Sequence, residues 1–356
     1  MRVCLVSTSM APLPPWRFTG YGGAELIAYY ALLEMAELGK TDLVVFATPQ
    51  SSLPEGVRHL PVPPSYFDWR GERGLAKRYR RELSLCDYVI DMSSTASVAE
   101  WEFLYRRPTV VVRNGYDLSR PLTGRYKLVV YTHAVRRYGE ELGVRVDGVC
   151  RPTVRGEFYQ VSREPGRYVL YLGRPHPSKG VDYVLKLAEL NPSVRFVLAW
   201  RPTLPDHFHW HAEYSRVAKR LRNVSLLLLP GGERGEHVKR QLLSRAKLFV
   251  QPTVYLEAFG MAMAEALVSG TPVLTTTAGS GPELVDSSTG ALAKNRLNLA
   301  EQAERWREKL GEAVDVEELN SLFREALEKK WDREEVARIS RERFRGMAEC
   351  LLGLWR

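Results

Sequence analysis

Short apolar runs rich in Val, Ile and Leu recur along the chain and alternate with longer stretches whose apolar residues return every three or four positions. This alternation predicts parallel sheets joined by crossover helices. In the first half the strand candidates are Val3–Ser7, Leu43–Ala47, Tyr88–Asp91, Thr109–Arg113, Leu128–Tyr131 and Gly148–Cys150. In the second half they are Tyr168–Leu172, Val194–Ala199, Val224–Leu229, Leu248–Gln251 and Pro272–Thr275. Glu25–Leu38, Val181–Leu190, Trp210–Leu221, Glu236–Ser244 and Met261–Val268 read as helices. Beyond Leu299 the chain reads as charged helix with no further strand signal. Each half therefore predicts its own doubly wound α/β domain, with the boundary in the polar stretch Gly156–Gly166. The expected division is residues 1–157 and 158–337, with a terminal helix over 338–356 packing back on the first domain.

A length of 356 residues agrees, being too long for one ordinary core. Three loops lie where ligands of open α/β sheets bind, around the strands' carboxyl ends: Ala11–Gly23, Gly173–Gly180 and Thr253–Gly260. No apolar run reaches the roughly 18 residues of a membrane span. Met1–Met10 is too short in its apolar core for a signal peptide and reads as the first strand. Cys4, Cys86, Cys150 and Cys350 are far apart and form no Cys-x-x-Cys pair, so the expectation is a reducing cytosol and no structural metal.

The formal charge of +9 admits nucleic acid, anionic lipid, a phosphorylated substrate, or a solvated surface rich in Arg and Glu. No nucleic-acid-binding motif accompanies it. The stretch Tyr66–Arg81 concentrates Phe67, Trp69, Arg70, Arg73, Lys77, Arg78, Arg80 and Arg81. Aromatics among cations suit an anionic headgroup surface or a phosphorylated acceptor; a solvated basic face is the plain alternative.

The chemistry concentrates in two segments. Glu257 and Glu265 stand eight residues apart around a helix start. Met261, Ala262, Met263, Ala264, Ala266, Leu267 and Val268 make that helix apolar almost all round, hence buried, and a buried Glu needs a partner. If helical throughout, the spacing covers about 12 Å. Upstream, Arg174-Pro-His-Pro-Ser-Lys179 sets two cations between Gly173 and Gly180, on a loop that Pro175 and Pro177 keep from becoming helix. Carboxylates accept hydrogen bonds from vicinal hydroxyls, and Arg and Lys neutralise phosphates. A ligand with sugar hydroxyls at both ends and a diphosphate between uses all four groups, which describes a nucleotide-sugar. Gly22 and Gly23 open the first long helix, where backbone amides attract anions.

Taken together, Gly22-Gly23-Ala24-Glu25, Leu172-Gly173-Arg174…Lys179-Gly180, Glu257-Ala-Phe-Gly…Glu265-Ala, Gly270-Thr-Pro-Val and Gly281-Pro-Glu283 resemble retaining glycosyltransferase family 4, also called group 1, over roughly residues 1–290. The resemblance implies a GT-B fold: two doubly wound Rossmann-like domains facing across a cleft. It also implies a retaining transferase moving a hexose-type sugar from a UDP- or GDP-linked donor to a hydroxyl of a glycan or lipid-linked acceptor. Arg174, Lys179 and Glu257 would be catalytic. Gly22, Gly23, Phe259, Gly260 and Glu265 would bind the donor, with Glu265 on the ribose. Asn114 and His133 are the acceptor-side candidates. No cofactor is implied: no Asp-x-Asp motif is present, and metal-independence is the expectation. The expected location is cytoplasmic, peripheral at the inner membrane face. An alternative is a non-catalytic nucleotide-sugar-binding subunit; another is an epimerase of the same fold. The chain departs from the family at Asn114-Gly115, where His-Gly is common, at Arg151-Pro-Thr-Val154, and at Ala199-Trp-Arg-Pro202. His207, His209 and His211 suggest metal ligation, but only His207 and His211 share a helical face and no nearby acid completes a zinc set.

Overall fold

A computed structural model of the chain describes residues 1–17, 22–64, 72, 74–96, 98–115, 117–118, 125–164 and 166–354. It divides into two compact units: Met1–Thr153 with Gly231–Glu233 and Arg345–Arg356, and Val154–Pro230 with Arg234–Phe344.

The first unit holds β1 (Arg2–Val6), β2 (Asp42–Ala47), β3 (Arg58–Pro61), β4 (Tyr88–Asp91), β5 (Thr109–Val112), β6 (Lys127–Val130) and β7 (Gly148–Val149). They pair in the order β3-β2-β1-β4-β5-β6-β7, all parallel. The second unit holds β8 (Val169–Leu172), β9 (Phe196–Trp200), β10 (Val224–Leu228), β11 (Leu248–Val250), β12 (Val273–Thr276) and β13 (Gly290–Ala293). Their order is β10-β9-β8-β11-β12-β13, again parallel, the arrangement of a doubly wound sheet that starts in the middle and reverses direction. The central strands are buried on both faces. Val3, Leu5 and Val6 are fully enclosed, as are Val169, Leu170 and Tyr171, which is why these runs are apolar without alternation.

Two strands escape the sequence pattern. β3 reads Arg-His-Leu-Pro and β13 reads Gly-Ala-Leu-Ala, and both are sheet edges with half-exposed residues. An edge strand has little apolar surface to declare, and Pro is admissible there.

The cysteine reading needs correction. Cys4 is bonded to Cys86 and Cys150 to Cys350, with Cα separations of 5.9 and 5.7 Å. Separation in sequence says nothing about separation across a parallel sheet: β1 lies beside β4, and Cys86 directly precedes β4. With every cysteine paired, the composition no longer argues for a reducing compartment. The second bond fastens the helix Met347–Gly353 to the first unit. Glu34 reinforces it by accepting from Gly346 N at 2.7 Å and Ala348 N at 2.8 Å, and Tyr88 Oη donates to Leu351 O at 2.6 Å. Among the described residues no helix is long and apolar enough to cross a membrane.

Candidate active site

In the second unit, β8 delivers the chain to Gly173, where a Cβ would lie 3.2 Å from Tyr171 Oη. Pro175 and Pro177 do not leave an open loop. Pro177–Lys179 forms a single 3-10 turn capped by His176, whose Nδ1 accepts from Ser178 N at 3.3 Å and lies 2.8 Å from Ser178 Oγ. Burial first, then the charge of Arg174, pushes the His176 pKa down to about 4, so its ring caps as a neutral acceptor. Gly180 has φ +74, and a Cβ there would collide with the Pro252 carbonyl. The helix Val181–Leu190 follows.

This turn sends Lys179 inward to Glu257. The two side chains, 12% and 8% exposed, form an ion pair. Lys179 Nζ also donates to Tyr255 Oη at 2.9 Å, and Tyr255 Oη donates to Glu257 Oε1 at 2.9 Å. The Tyr255 ring lies 4.9 Å beneath the ammonium. Two charges are tolerated in so closed a place because each meets a hydrogen-bonded opposite.

Glu257 does not belong to the helix that follows. The helix runs Met261–Val268 and Gly260, at φ 84, is its N-cap, so the 12 Å helical spacing does not apply across Glu257–Glu265. No side chain caps this helix start, which leaves its first amides and positive dipole end for an anion. Glu257 Cγ lies 3.5 Å from where a Cβ on Gly260 would be. Gly279, at φ +49, abuts the Glu257 backbone, and Ser280 N donates to Glu257 O at 3.0 Å. Phe259 is 2% exposed and packs edge-on against Phe344 at 5.8 Å, so its ring anchors the loop while its backbone remains at the helix start.

Glu265 sits one helical stretch further on, 3% exposed. Its Oε1 accepts from Tyr159 Oη and from Lys239 Nζ, both at 2.6 Å. Lys179, Glu257, Phe259 and Gly260 are thus brought together, and Glu265 stands on the helix that follows Gly260 with its own partners. Tyr255, Tyr159 and Lys239 carry no sequence signal of this role beyond the position of Tyr255 two residues before Glu257.

The remaining expected residues lie in the first unit. Gly22, at φ +149, caps the helix Gly23–Leu38, and a Cβ there would press on Glu25 and on Pro15 at 3.1 Å. Thr8 Oγ1 donates to Glu25 Oε1. Burial pushes the Glu25 pKa up against that hydrogen bond. Asn114 Nδ2 donates to Met92 O at 2.8 Å, and its Oδ1 accepts from the buried Tyr131. His133 is exposed at the start of the helix His133–Glu141, which Thr132 caps. Sequence reasoning missed Glu72, an acid inside the basic stretch. It is fully enclosed and accepts from Ser9 N, Ser94 N and Thr95 N at 3.1, 3.1 and 2.9 Å.

The histidine cluster is occupied otherwise. His207 Nδ1 accepts from Thr203 N at 3.3 Å, His211 Nδ1 accepts from Trp200 Nε1 at 3.0 Å, and His209 packs edge-on against Trp210 at 5.1 Å. Among the described residues no group of His, Cys, Asp and Glu could hold a metal ion. Of the basic stretch, Tyr66, Phe67, Trp69, Arg70 and Arg73 lie outside the described residues, while Lys77, Arg78, Arg80 and Arg81 are exposed. Arg80 Nε donates to Leu104 O at 2.9 Å, beside Trp101 and Phe103, which are 45% and 59% exposed with rings 5.7 Å apart.

Residues 157–330 match the family model described as glycosyl transferases group 1. A D-inositol 3-phosphate glycosyltransferase of Mycolicibacterium gilvum is 32% identical over 152 residues, 41% of this chain and 31% of that protein. The chain therefore matches about a third of the length of this curated relative. Sucrose-phosphate synthase from Thermosynechococcus elongatus superposes with a TM-score of 0.73 at 14% identity, covering 100% of this chain and 97% of that one. Anabaena HepE in complex with UDP-glucose superposes with a TM-score of 0.67 at 17% identity, covering 100% and 98%. At such identities the likeness is one of fold, that of the GT-B glycosyltransferases.

Proposed function

We propose that this chain, whose residues 157–330 match the glycosyl transferases group 1, is a retaining transferase moving a sugar from a nucleoside diphosphate to a hydroxyl of a glycan or lipid-linked acceptor. The observation that carries the reading is the Lys179–Glu257–Tyr255 cluster beside the uncapped start of the helix Met261–Val268. Departure of a nucleoside diphosphate builds negative charge on its phosphates. Lys179, Arg174 and the helix amides supply fixed positive charge there and need no reorganisation as the bond breaks. Lys179 is paired with Glu257. A bound donor competes for both, its phosphate taking Lys179 and its sugar hydroxyls taking the Glu257 carboxylate. Glu265 serves the ribose. UDP-sugars are the first donors to test, since HepE is described with UDP-glucose.

The acceptor is proposed to meet the protein at an anionic surface. The exposed Trp101–Phe103 pair, beside Lys77, Arg78, Arg80 and Arg81, supports this. A panel of UDP- and GDP-sugars incubated with the purified protein tests the reaction. Slow release of free sugar from one donor is the expected result. Binding without turnover would leave a nucleotide-sugar-binding subunit, and an altered sugar still on its nucleotide would mean an epimerase.

A further inference from the structure

Behind Glu265 lies a buried chain of alternating charges that no step above uses. Lys239, on the helix Gly232–Arg245, places Nζ 2.6 Å from Glu265 Oε1 and 2.8 Å from Glu236 Oε2. Glu236 Oε1 in turn accepts from Arg240 Nε at 2.9 Å. The Arg240 guanidinium covers the rings of Phe158 and Tyr159 at 5.2 and 5.5 Å, and Tyr159 Oη returns to Glu265 Oε1 at 2.6 Å. Cations and carboxylates balance in number, and the side chains of Lys239, Glu236 and Glu265 are 12%, 6% and 4% exposed. An isolated surface ion pair would not be built this way. Each member is held from two sides, and each charge meets its opposite.

The asymmetry at Glu265 is the informative part. Both donors, Lys239 and Tyr159, bind Oε1, while Oε2 accepts no hydrogen bond among the described residues. A carboxylate clamped through one oxygen has its plane and its other oxygen fixed in direction. That is how a site presents one strong acceptor to a hydroxyl pair without paying for its orientation when the ligand arrives.

We propose that Lys239 and Tyr159 are positioning residues for nucleotide recognition: they clamp Glu265 through Oε1 and turn its Oε2 toward the vicinal hydroxyls of the donor's ribose. The proposal rests on the donor-binding reading above and adds the groups that make the site select a ribonucleotide. Glu236 and Arg240 complete the device. Glu236 keeps Lys239 charged and off-centre, and Arg240 stacks on Tyr159 to fix the phenol. Loss of Lys239 would leave the buried carboxylates of Glu236 and Glu265 without the cation they share, and Glu265 would turn away.

The test is titration calorimetry with UDP and 2′,3′-dideoxy-UDP, with the GDP pair in parallel, on wild type, Lys239→Met, Lys239→Arg and Tyr159→Phe. Wild type should bind the ribonucleotide at least tenfold more tightly than the dideoxy form. Lys239→Met should bind the dideoxy form as wild type does but lose most of the preference. Tyr159→Phe should lose part of it, and Lys239→Arg should restore part. Tyr159→Phe removes only one hydroxyl, so it keeps the test open if Lys239→Met fails to fold. Variants that weaken both ligands equally, with the preference intact, would show a network that only supports the fold and would overturn the proposal. A wild type that binds both forms alike would also overturn it. Wild type that binds neither diphosphate would instead overturn the donor reading on which it rests.

Discussion

Replacing Lys179 by Met separates what the buried ion pair does for the fold from what it does for the reaction. The structure puts Lys179 and Glu257 in contact at 12% and 8% side-chain exposure, with Tyr255 bridging them. Removing one partner of such a pair leaves the other charge enclosed and costs about 3–5 kcal/mol. At roughly 2–4 °C per kcal/mol for a unit of this size, the melting temperature should fall by about 6–20 °C. Adding Glu257→Gln removes the stranded charge, so the double variant should melt well above Lys179→Met alone. Catalysis should behave differently. A cation aimed at a leaving phosphate is worth about 10²–10³ in turnover, and nothing in Glu257→Gln replaces it. Donor hydrolysis should therefore stay down in both single variants and in the double. The assay is a thermal melt and a hydrolysis rate on the same four proteins. Hydrolysis that recovers in step with the melting temperature would refute the argument, because the pair would then matter only as structure.

Donor turnover should survive excess EDTA, since Arg174 and Lys179 are argued to supply the positive charge at the phosphates; loss restored by Mn²⁺ or Mg²⁺ would contradict that role. Gly279→Ala should abolish hydrolysis and lower the melting temperature, because its Cβ would overlap the Glu257 backbone at φ +49; a soluble, fully active variant counts against the placement of that loop. His176, held neutral with its pKa pushed down to about 4 from 6.5, gives the fold up to about 3 kcal/mol that is complete above pH 6.5 and fades as pH falls toward 4, where the unfolded chain binds the extra proton. A His176→Asn variant should lose most of that acid dependence in thermal melts, and an unchanged profile would exclude His176 as its source. Replacing Lys77, Arg78, Arg80 and Arg81 by Ser and Trp101 and Phe103 by Ser should abolish co-sedimentation with anionic liposomes while leaving donor hydrolysis intact; wild type that ignores such liposomes at low salt would end the membrane reading.

The parts of the fold that could be read in advance are those with a strong local signature. Tyr88–Asp91, Val181–Leu190 and Met261–Val268 run between the residues expected, because an apolar run marks the strand, Gly180 and Gly260 mark the two helix starts, and Asn191-Pro192 and Ser269-Gly270 mark their ends. β3 and β13 bury too little to leave a pattern. The disulfides are invisible for another reason: which cysteines meet depends on strand order, a property of the whole sheet. The site divides in the same way. That Glu265 would be buried and need a partner follows from the apolar helix around it, and Glu257 stands in the loop just before that helix. That the partners are Lys179 with Tyr255 and Lys239 with Tyr159 depends on contacts spanning up to 106 residues of sequence, which no local pattern encodes.

The bond between Cys150 and Cys350 spans 200 residues and straddles the stretch that leaves the first unit after Thr153 and re-enters it at Arg345. Drawn as a graph, the covalent chain carries two rings, a small one closed by Cys4–Cys86 and a large one closed by Cys150–Cys350, and the whole second unit lies on the large ring. That unit's first and last residues, Val154 and Phe344, are therefore joined covalently through the bond as well as through the chain. Melting it cannot release the terminal helix Met347–Gly353, and a cut anywhere within it cannot separate the fragments until the bond is reduced. Closing a ring this long removes several kcal/mol of chain entropy from the unfolded state, about 5 by the polymer estimate. The unit that carries Lys179 and Glu257 can thus unfold and refold while the helix Met347–Gly353 stays covalently tied to Cys150.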